Sequence, residues 1–292
     1  MRVHLVDGTF ELFRAHYSKR PAHAAPAGWE AKATIGLAGS LLALLHDERE
    51  AVTHVAVAFD NPIRSFRNDL WPGYKTDEGV PPGLLAQFDA AEAATRALGI
   101  VVWSMRAYEA DDALATGAAR FRDAVEQVRI LTPDKDLGQC LLGRRVVQVD
   151  RIRNREVDEE VLLARRGIRP ESIPDFLALV GDTADGIPGL AGFGEKTASA
   201  LLAQHVHLET IPSDPARWPA SIRGAAQLAS RLESGREAAL LYRRLATLVN
   251  DVPLAESLED LRWRGIPRAR FEAWCDELGA RALLAGATRA RS

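Results

Sequence analysis

Short apolar runs alternate with longer amphipathic stretches along the first half of the chain. The runs RVHLV, HVAVAF, IVVW, QVRIL and RVVQV begin at residues 2, 54, 100, 127 and 145, and their β-branched residues predict five strands. Between them, residues 32–48 and 83–99 carry apolar positions at helical spacing. Strands separated by helices in this way predict an α/β domain with a largely parallel sheet.

The second half of the chain has a different pattern. From about residue 170 the strand-like runs cease, and residues 171–182 and 194–205 predict two helices joined by the glycine-rich segment DGIPGLAGFGEK. The remainder, from about residue 211, predicts further helices. We therefore expect a core domain at residues 1–175 and a helical region at residues 176–292.

Composition narrows the class of protein. Of the 292 residues, 47% are hydrophobic and 26% are charged, which is typical of a globular protein with a substantial core. The apolar run at the N-terminus is too short for a signal peptide, and no apolar stretch is long enough to span a membrane. The two cysteines, Cys140 and Cys275, form no CxxC motif, so we expect a reducing, cytoplasmic location.

Aspartates follow the predicted strands at several points. Asp7 and Asp60 come directly after the first two strands, and Asp134 and Asp136 come shortly after the fourth. A single aspartate in this position is usually a turn former or a helix cap, but capping alone explains four of them poorly. Because sites in α/β sheets form at the carboxyl ends of the strands, we expect these side chains to lie together.

Two further acidic groups have regular spacing. Glu109, Asp111 and Asp112 fall at the start of a predicted helix, where the helix dipole favours anions and capping accounts for one or two of them. Asp182 and Asp185 are three positions apart. In TPDKDL, an extended backbone would direct both aspartates to the same side of the chain.

These nine carboxylates together predict a site for divalent cations. Their oxygens are hard ligands with no His or Cys among them, which favours Mg²⁺, with Mn²⁺ as a substitute. Nine carboxylates exceed what one octahedral magnesium ion uses, so we expect two ions. The formal net charge is −3, of which the nine carboxylates contribute −9, and the rest of the chain therefore carries +6. The net charge thus does not exclude a nucleic-acid partner.

Six segments, in this order, resemble the bacterial 5′–3′ exonuclease/flap endonuclease family, which includes the N-terminal nuclease domain of DNA polymerase I. They are LVDG (5–8), AFDN (58–61), SFRNDLWPGYK (65–75), YEADD (108–112), TPDKDL (132–137) and GDTADGIPGLAGFGEKTA (181–198). The resemblance implies a PIN-like α/β core, then a helix–three-turn–helix DNA-binding element and a helical C-terminal region. It also implies Mg²⁺-dependent hydrolysis of DNA phosphodiesters near 5′ ends by a two-metal mechanism, in replication and repair.

The resemblance implies roles for individual residues as well. A lysine and an arginine are expected to contact the scissile phosphate: Lys75 and Arg67. The expected ligands of the first metal ion are Asp7, Asp60, Glu109 and Asp111. The expected ligands of the second ion, some of them through water, are Asp112, Asp134, Asp136, Asp182 and Asp185. We expect catalysis to depend on Lys75, Arg67, Asp7, Asp60 and Asp111.

The glycine-rich segment GLAGFGEKT nearly matches a P-loop, which would indicate an NTPase. Glu195 interrupts the motif between Gly194 and Lys196, and the segment follows a predicted helix rather than a strand, so this interpretation fails. Backbone N–H groups in a hairpin between two helices suit a DNA phosphate. The resemblance implies a K⁺ ion in this hairpin. The expected DNA contacts are Gly189, Gly192, Gly194, Lys196 and Thr197.

One segment departs from the family's pattern. Family members carry further basic residues after the YK motif, in an arch over single-stranded 5′ ends, but here Asp77 and Glu78 follow Lys75 and the segment is locally neutral. The alternative hypothesis is therefore a structure-specific DNA-binding protein with weak or lost nuclease activity. A small-molecule phosphatase is a further alternative, although Thr9 stands where such enzymes carry a second aspartate after Asp7.

The expected partners are DNA with 5′ ends, nicks or flaps, and RNA–DNA primers, with no membrane partner. Because no polymerase motif follows the nuclease motifs, we expect a stand-alone nuclease. We also expect the protein to be a monomer.

Overall fold

The computed structural model describes residues 1–287 of the chain. The last five residues of the predicted helical region 176–292 lie outside the described residues.

All five predicted strands are present, and a sixth, short strand follows them. The strands are β1 (Arg2–Asp7), β2 (His54–Asp60), β3 (Val101–Met105), β4 (Gln127–Leu131), β5 (Val146–Asp150) and β6 (Arg155–Val157). The sixth strand was not predicted because its three residues, REV, are partly or fully exposed and carry no apolar run.

The helices fill the intervals between the strands and most of the second half of the chain. They are α1 (Gly8–His16), α2 (Lys32–Leu45), α3 (Arg67–Leu70), α4 (Pro82–Leu85), α5 (Phe88–Ala97), α6 (Ala110–Phe121), α7 (Glu159–Arg166), α8 (Ile173–Val180), α9 (Glu195–His205), α10 (Ala225–Ala246), α11 (Arg268–Glu277) and α12 (Leu284–Ala287). A short 3₁₀ helix, Lys135–Cys140, follows β4. Within the described residues, no helix is both long and apolar enough to cross a membrane.

The chain forms two compact units. The first consists of Met1–Arg64, Asp77–Thr132 and Asn250–Ser292, and the second of Ser65–Thr76 and Pro133–Val249. The predicted mostly parallel α/β core followed by a helical region is confirmed. The boundary that we placed between residues 175 and 176 stays a prediction.

The first unit is built around parallel strands in the order β3-β2-β1-β4. Every residue of β2 is buried, and so are the last five residues of β1, as expected for parallel strands that are covered on both faces. The register pairs Asp7 with Ala58, and Asp60 with Met105. The strand ends that carry Asp7 and Asp60 therefore lie side by side.

The turn after β1 depends on a glycine. A Cβ atom on Gly8 would lie 2.6 Å from the ring of Phe59 and 2.7 Å from the carbonyl oxygen of Ala58. A side chain at this position would force the start of α1 away from β2. The glycine of the VDG motif therefore lets α1 begin immediately after Asp7, close to the neighbouring strand.

The second unit is mainly helical, with β5 and β6 as an antiparallel pair. Helices α8, α9 and α10 enclose its apolar core, which includes Phe176, Leu201 and Leu232. The segment between α8 and α9 contains the predicted glycine-rich turns. At Gly189, φ is +70°, and an added Cβ would lie 2.5 Å from the backbone nitrogen of Gly181, so only glycine fits there without strain.

Candidate metal and phosphate site

In the first unit, Asp7 is held by hydrogen bonds at the end of β1. Its Oδ1 accepts the Phe10 N–H at 2.8 Å, which caps α1, and its Oδ2 accepts the Thr132 hydroxyl at 2.9 Å. The side chain is almost completely buried. Two different elements therefore fix the orientation of this carboxylate.

Asp60 connects the end of β2 to the start of α6. Its Oδ1 accepts the backbone N–H of Ala110 at 2.7 Å, and its own N–H donates to the Thr9 hydroxyl at 2.8 Å. Since Ala110 is the first residue of α6, the carboxylate of Asp60 lies at the positive end of the helix dipole.

The three acidic residues at the start of α6 have different environments. Glu109 is the N-cap residue and is buried. Asp112 is completely buried, and its Oδ2 accepts the Glu109 N–H at 3.0 Å, so this carboxylate contributes to capping. Asp111 is only partly buried. With Asp7 and Asp60, these residues place five predicted ligands of the first unit at strand ends and one helix start.

The second unit brings three predicted ligands into one cluster, Asp136, Asp182 and Asp185. Each residue offers a carboxylate oxygen, and the three oxygens lie within 4.8 Å of one another. Asp136 belongs to the 3₁₀ helix after β4, whereas Asp182 and Asp185 lie in the turn after α8. Reciprocal backbone hydrogen bonds of 2.8 Å between Asp182 and Ile187 close this turn. The resemblance assigned all three residues to the second metal ion, and the structure brings their carboxylates together.

Within this acidic cluster, Asp136 has an unfavourable electrostatic environment. Burial, together with the nearby charges of Asp134, Asp185 and Asp182, raises the pKa of Asp136 well above its ordinary value. Its Oδ1 is buried and has no hydrogen-bond partner among the described residues. A buried oxygen without a donor beside two further carboxylates fits a hard divalent cation, since such ions bind oxygen ligands.

Two lysines contact the acidic cluster. The Nζ of Lys75 lies 3.0 Å from Asp185 Oδ1, and the Nζ of Lys135 lies 2.8 Å from Asp182 Oδ2. Burial alone would lower the pKa of Lys135, but the hydrogen bond and the charge of Asp182 raise it above its ordinary value. The role of Lys135 was not predicted, and the only signal in the sequence is its position between the two aspartates of TPDKDL.

The predicted geometry of TPDKDL is wrong. The segment is not extended from Lys135 onward, because the side chain of Asp134 accepts the N–H of Asp136 at 2.9 Å and thereby caps the 3₁₀ helix. As a result Asp134 is exposed and Asp136 is buried, so the two side chains do not share one side of an extended strand. Metal ligation by Asp134 stays a prediction.

Arg67 lies in the interior of the second unit. Its side chain is fully buried, its Nε donates to the carbonyl oxygen of Leu245 at 2.8 Å, and one terminal nitrogen donates to that of Thr247 at 3.0 Å. These carbonyls lie at the C-terminal end of α10, where backbone acceptors lack helical partners and a cation is favoured. The predicted phosphate contact of Arg67 stays a prediction.

The glycine segment leads into the N-terminus of α9. Gly192 has φ +90°, and Gly194 is the N-cap residue, with open space where a Cβ would lie. Lys196 is exposed and Thr197 is partly exposed, both in the first turn of the helix. No strand precedes the segment, because the preceding element in this described part of the chain is α8. The backbone thus presents free helix N–H groups to solvent, as a phosphate would require.

Comparisons with known proteins agree with this arrangement. Residues 2–167 match the 5′-3′ exonuclease N-terminal resolvase-like domain, and residues 168–269 match the 5′-3′ exonuclease C-terminal SAM fold. DNA polymerase I from Synechocystis sp. is 32% identical over 294 residues, which cover 96% of this chain and 29% of the polymerase. The chain spans less than a third of the length of such polymerases.

Solved structures share the fold. T5 5′-exonuclease with bound zinc ions has a TM-score of 0.68 at 17% identity, over 95% of this chain and 100% of that one. The bacteriophage T5 D15 flap endonuclease in a pseudo-enzyme–product complex with DNA and metal ions has a TM-score of 0.62 at 18% identity, over 99% and 100% of the two chains.

Proposed function

The chain belongs to the 5′-3′ exonuclease family, and from this premise we propose that it hydrolyses phosphodiester bonds of DNA at or near 5′ ends. The observation that carries the proposal is the buried acidic cluster with Lys75 beside it. A structural role explains this cluster poorly, because Asp136 is buried beside the charges of Asp182 and Asp185 and its Oδ1 has no hydrogen-bond partner among the described residues. The lysines pair with Asp185 and Asp182 and leave this oxygen unsatisfied.

The proposed cofactor is a pair of Mg²⁺ ions, for which Mn²⁺ would substitute. Residues Asp7, Asp60, Glu109 and Asp111 would hold the first ion, and Asp112, Asp134, Asp136, Asp182 and Asp185 would hold the second, some through water. When bound, such ions act as Lewis acids toward phosphate oxygens. The T5 exonuclease with bound divalent ions supports a metal requirement.

The remaining roles belong to side chains and backbone groups of the chain itself. Lys75 would offset negative charge on the phosphoryl oxygens, which requires its ammonium group to leave Asp185. The N–H groups at the start of α9, with Lys196 and Thr197, would bind a backbone phosphate of the DNA, with K⁺ in the same hairpin. Arg67, if it keeps its contacts with α10, would act by positioning the segment that carries Lys75.

The proposed substrates are duplexes with 5′ ends, nicks or flaps, and RNA–DNA primers. Contacts with phosphates carry no sequence information, which suits recognition of DNA structure rather than of base sequence. The T5 flap endonuclease complex with DNA supports this class of substrate. We also propose that the protein is a cytoplasmic monomer that acts in DNA replication and repair.

A panel of 5′-labelled blunt, nicked, gapped and flapped duplexes tests the proposed activity. We expect short labelled products with Mg²⁺ and none with EDTA. Asp136→Asn should lower the cleavage rate by roughly 100-fold or more, because loss of even a supporting group at a metal site costs about 10- to 100-fold. Glu48→Gln, which changes an exposed carboxylate, is the matched control and should cleave like the parent. Equal cleavage in EDTA would rule out the proposal.

The second candidate function is structure-specific DNA binding with weak or lost cleavage. The exposed residues Asp77 and Glu78 favour it, since a path for a single strand normally carries a surplus of positive charge. Binding to flapped duplex without products on any member of the panel, in Mg²⁺ or Mn²⁺, would favour this second function over the first.

A further inference from the structure

The chain contains few lysines, and two of them contact the acidic cluster. Of the 37 Lys and Arg residues only five are lysines, namely Lys19, Lys32, Lys75, Lys135 and Lys196. Lys75 pairs with Asp185, and Lys135 pairs with Asp182. In the described part of the chain, the other ion pairs are made mostly by arginine, so the lysines at these carboxylates call for a physical reason.

The two kinds of cation differ in how firmly they hold a carboxylate. In the first unit, Arg129 binds Glu50 through two nitrogens, with Nε at 2.7 Å from one oxygen and a terminal nitrogen at 3.1 Å from the other. Such a fork fixes both oxygens, whereas a lysine ammonium is a compact, strongly hydrated point charge on a flexible stem. An ammonium group therefore exchanges more easily with water or with another cation.

The surroundings of the Lys135–Asp182 pair suit such an exchange. The Nζ of Lys135 lies 2.8 Å from Asp182 Oδ2. The side chain of Lys135 is 43% exposed, whereas that of Asp182 is only 6% exposed. The lysine thus approaches a buried carboxylate from solvent, and it leaves without opening the core. The neighbouring Asp136 Oδ1 has no partner among the described residues, so the lysine does not satisfy the whole cluster.

We propose that Lys135 is a displaceable counter-cation that occupies Asp182 in the metal-free protein and gives up this carboxylate when a divalent cation binds. The inference rests on the proposed function for the assignment of the cluster as a metal site. Lys135 stabilises the empty cluster and at the same time lowers its apparent affinity for metal, because the bound ion must compete with the ammonium group. Lys135 is therefore a tuning residue for metal affinity rather than a catalytic residue.

Two substitutions at this position should shift metal affinity in opposite directions. Lys135→Met removes the competitor and one positive charge, so the dissociation constant for Mn²⁺ should fall by roughly three- to tenfold, the range that corresponds to loss of a partly exposed ion pair and its charge. Lys135→Arg keeps the charge and introduces a guanidinium group that can donate to both oxygens of Asp182. Because this pair is held more firmly, the dissociation constant for Mn²⁺ should rise.

The experiment measures Mn²⁺ binding to the full chain without DNA, by isothermal titration and by the electron paramagnetic resonance signal of free Mn²⁺. The variants are Lys135→Met, Lys135→Arg and the control Lys19→Met, which changes an exposed lysine and should bind like the parent. Thermal unfolding in EDTA verifies that each variant is folded. Because Lys135→Arg keeps the charge, it provides a folded comparison even if Lys135→Met is unstable.

The outcomes separate this inference from the proposed function. Tighter binding by Lys135→Met together with weaker binding by Lys135→Arg supports the counter-cation. Binding by both variants within twofold of the parent, or weaker binding by Lys135→Met, overturns it while the metal site itself stands. No Mn²⁺ binding by the parent chain overturns the proposed metal site and this inference with it.

Discussion

Lys75 makes two contacts with Asp185, an ion pair through its side chain and a hydrogen bond through its backbone. Its Nζ lies 3.0 Å from the carboxylate oxygen Oδ1, and its N–H donates to the carbonyl oxygen of Asp185 at 3.1 Å. The backbone contact keeps the lysine beside the acidic cluster even when its ammonium group turns to another anion. A predicted phosphate-binding lysine and a predicted metal ligand are therefore held together by the fold of the second unit.

Replacing Lys75 by methionine tests the role of its charge, because the substitution removes the ammonium group and keeps the backbone N–H that contacts Asp185. Lys75→Met should lower the cleavage rate constant by roughly 100- to 1,000-fold, because one preorganised donor to a developing negative charge is typically worth that much. Affinity for Mn²⁺ should not fall, since the substitution removes a competing cation from Asp185. Single-turnover cleavage and Mn²⁺ titration measure the two effects, with Lys19→Met as the control. A rate unchanged within twofold would contradict the role of Lys75.

Asp136 should make the metal-free protein less stable as pH rises. Its pKa is raised in the folded state, so the folded protein binds more protons than the unfolded chain between the two pKa values, and stability falls as pH rises from about 4 through that window. In EDTA at neutral pH, Asp136→Asn should therefore unfold a few degrees higher than the parent, and the difference should shrink toward pH 4. Thermal unfolding as a function of pH measures this. A variant less stable than the parent at neutral pH would contradict it.

Arg67 should be important for the stability of the second unit. Arg67→Met would leave the carbonyls of Leu245 and Thr247 without these donors, and we expect a loss of roughly 2–4 kcal/mol in the free energy of unfolding. Chemical denaturation measures the loss, and Arg64→Met, which changes a residue outside these contacts, is the control. Wild-type stability combined with a large loss of cleavage would instead assign Arg67 to the phosphate, as the sequence predicted.

Two glycines of the hairpin allow stability and DNA binding to be separated. Gly189 has φ +70° and lies against the backbone of Gly181, so Gly189→Ala should destabilise the fold by roughly 1 kcal/mol or more. Gly194 has an ordinary φ of −94° and open space around its Cβ position, so Gly194→Ala should cause no steric strain and should cost only about 0.5 kcal/mol, because alanine is a poorer N-cap residue than glycine. If the hairpin binds a phosphate, Gly194→Ala should still weaken binding to flapped duplex. Equal affinity of parent and Gly194→Ala in fluorescence anisotropy would remove the hairpin from the DNA contacts.

The sequence predicts those parts of the fold that local pattern determines. The parallel strands are continuous apolar runs because both of their faces are buried. Asp7 and Asp60 mark the points where the apolar runs stop, although both aspartates are themselves buried. Asp182 and Asp185 share a turn whose shape depends on nearby glycines, which are visible in the sequence. These features require no knowledge of distant contacts.

Other features depend on contacts between residues far apart in the chain. The burial of Arg67 depends on α10, about 180 positions away, and no local pattern distinguishes it from an exposed arginine. The segment after α10 was predicted as helical, but residues near Leu261 and Trp263 pair with the start of β2 through backbone hydrogen bonds. Lys135 was missed for the same reason, because its partner Asp182 comes from a turn after α8.

The central claim is that Asp136, Asp182 and Asp185 bind a divalent cation. Anomalous diffraction from crystals soaked in Mn²⁺ tests it most directly, with Glu48→Gln and Asp136→Asn crystals treated in the same way. We predict an anomalous peak among the three carboxylates in the parent and in Glu48→Gln, with the Lys135 ammonium moved away from Asp182, and a weaker peak or none in Asp136→Asn. A well-ordered parent crystal without anomalous signal at these side chains would contradict the claim.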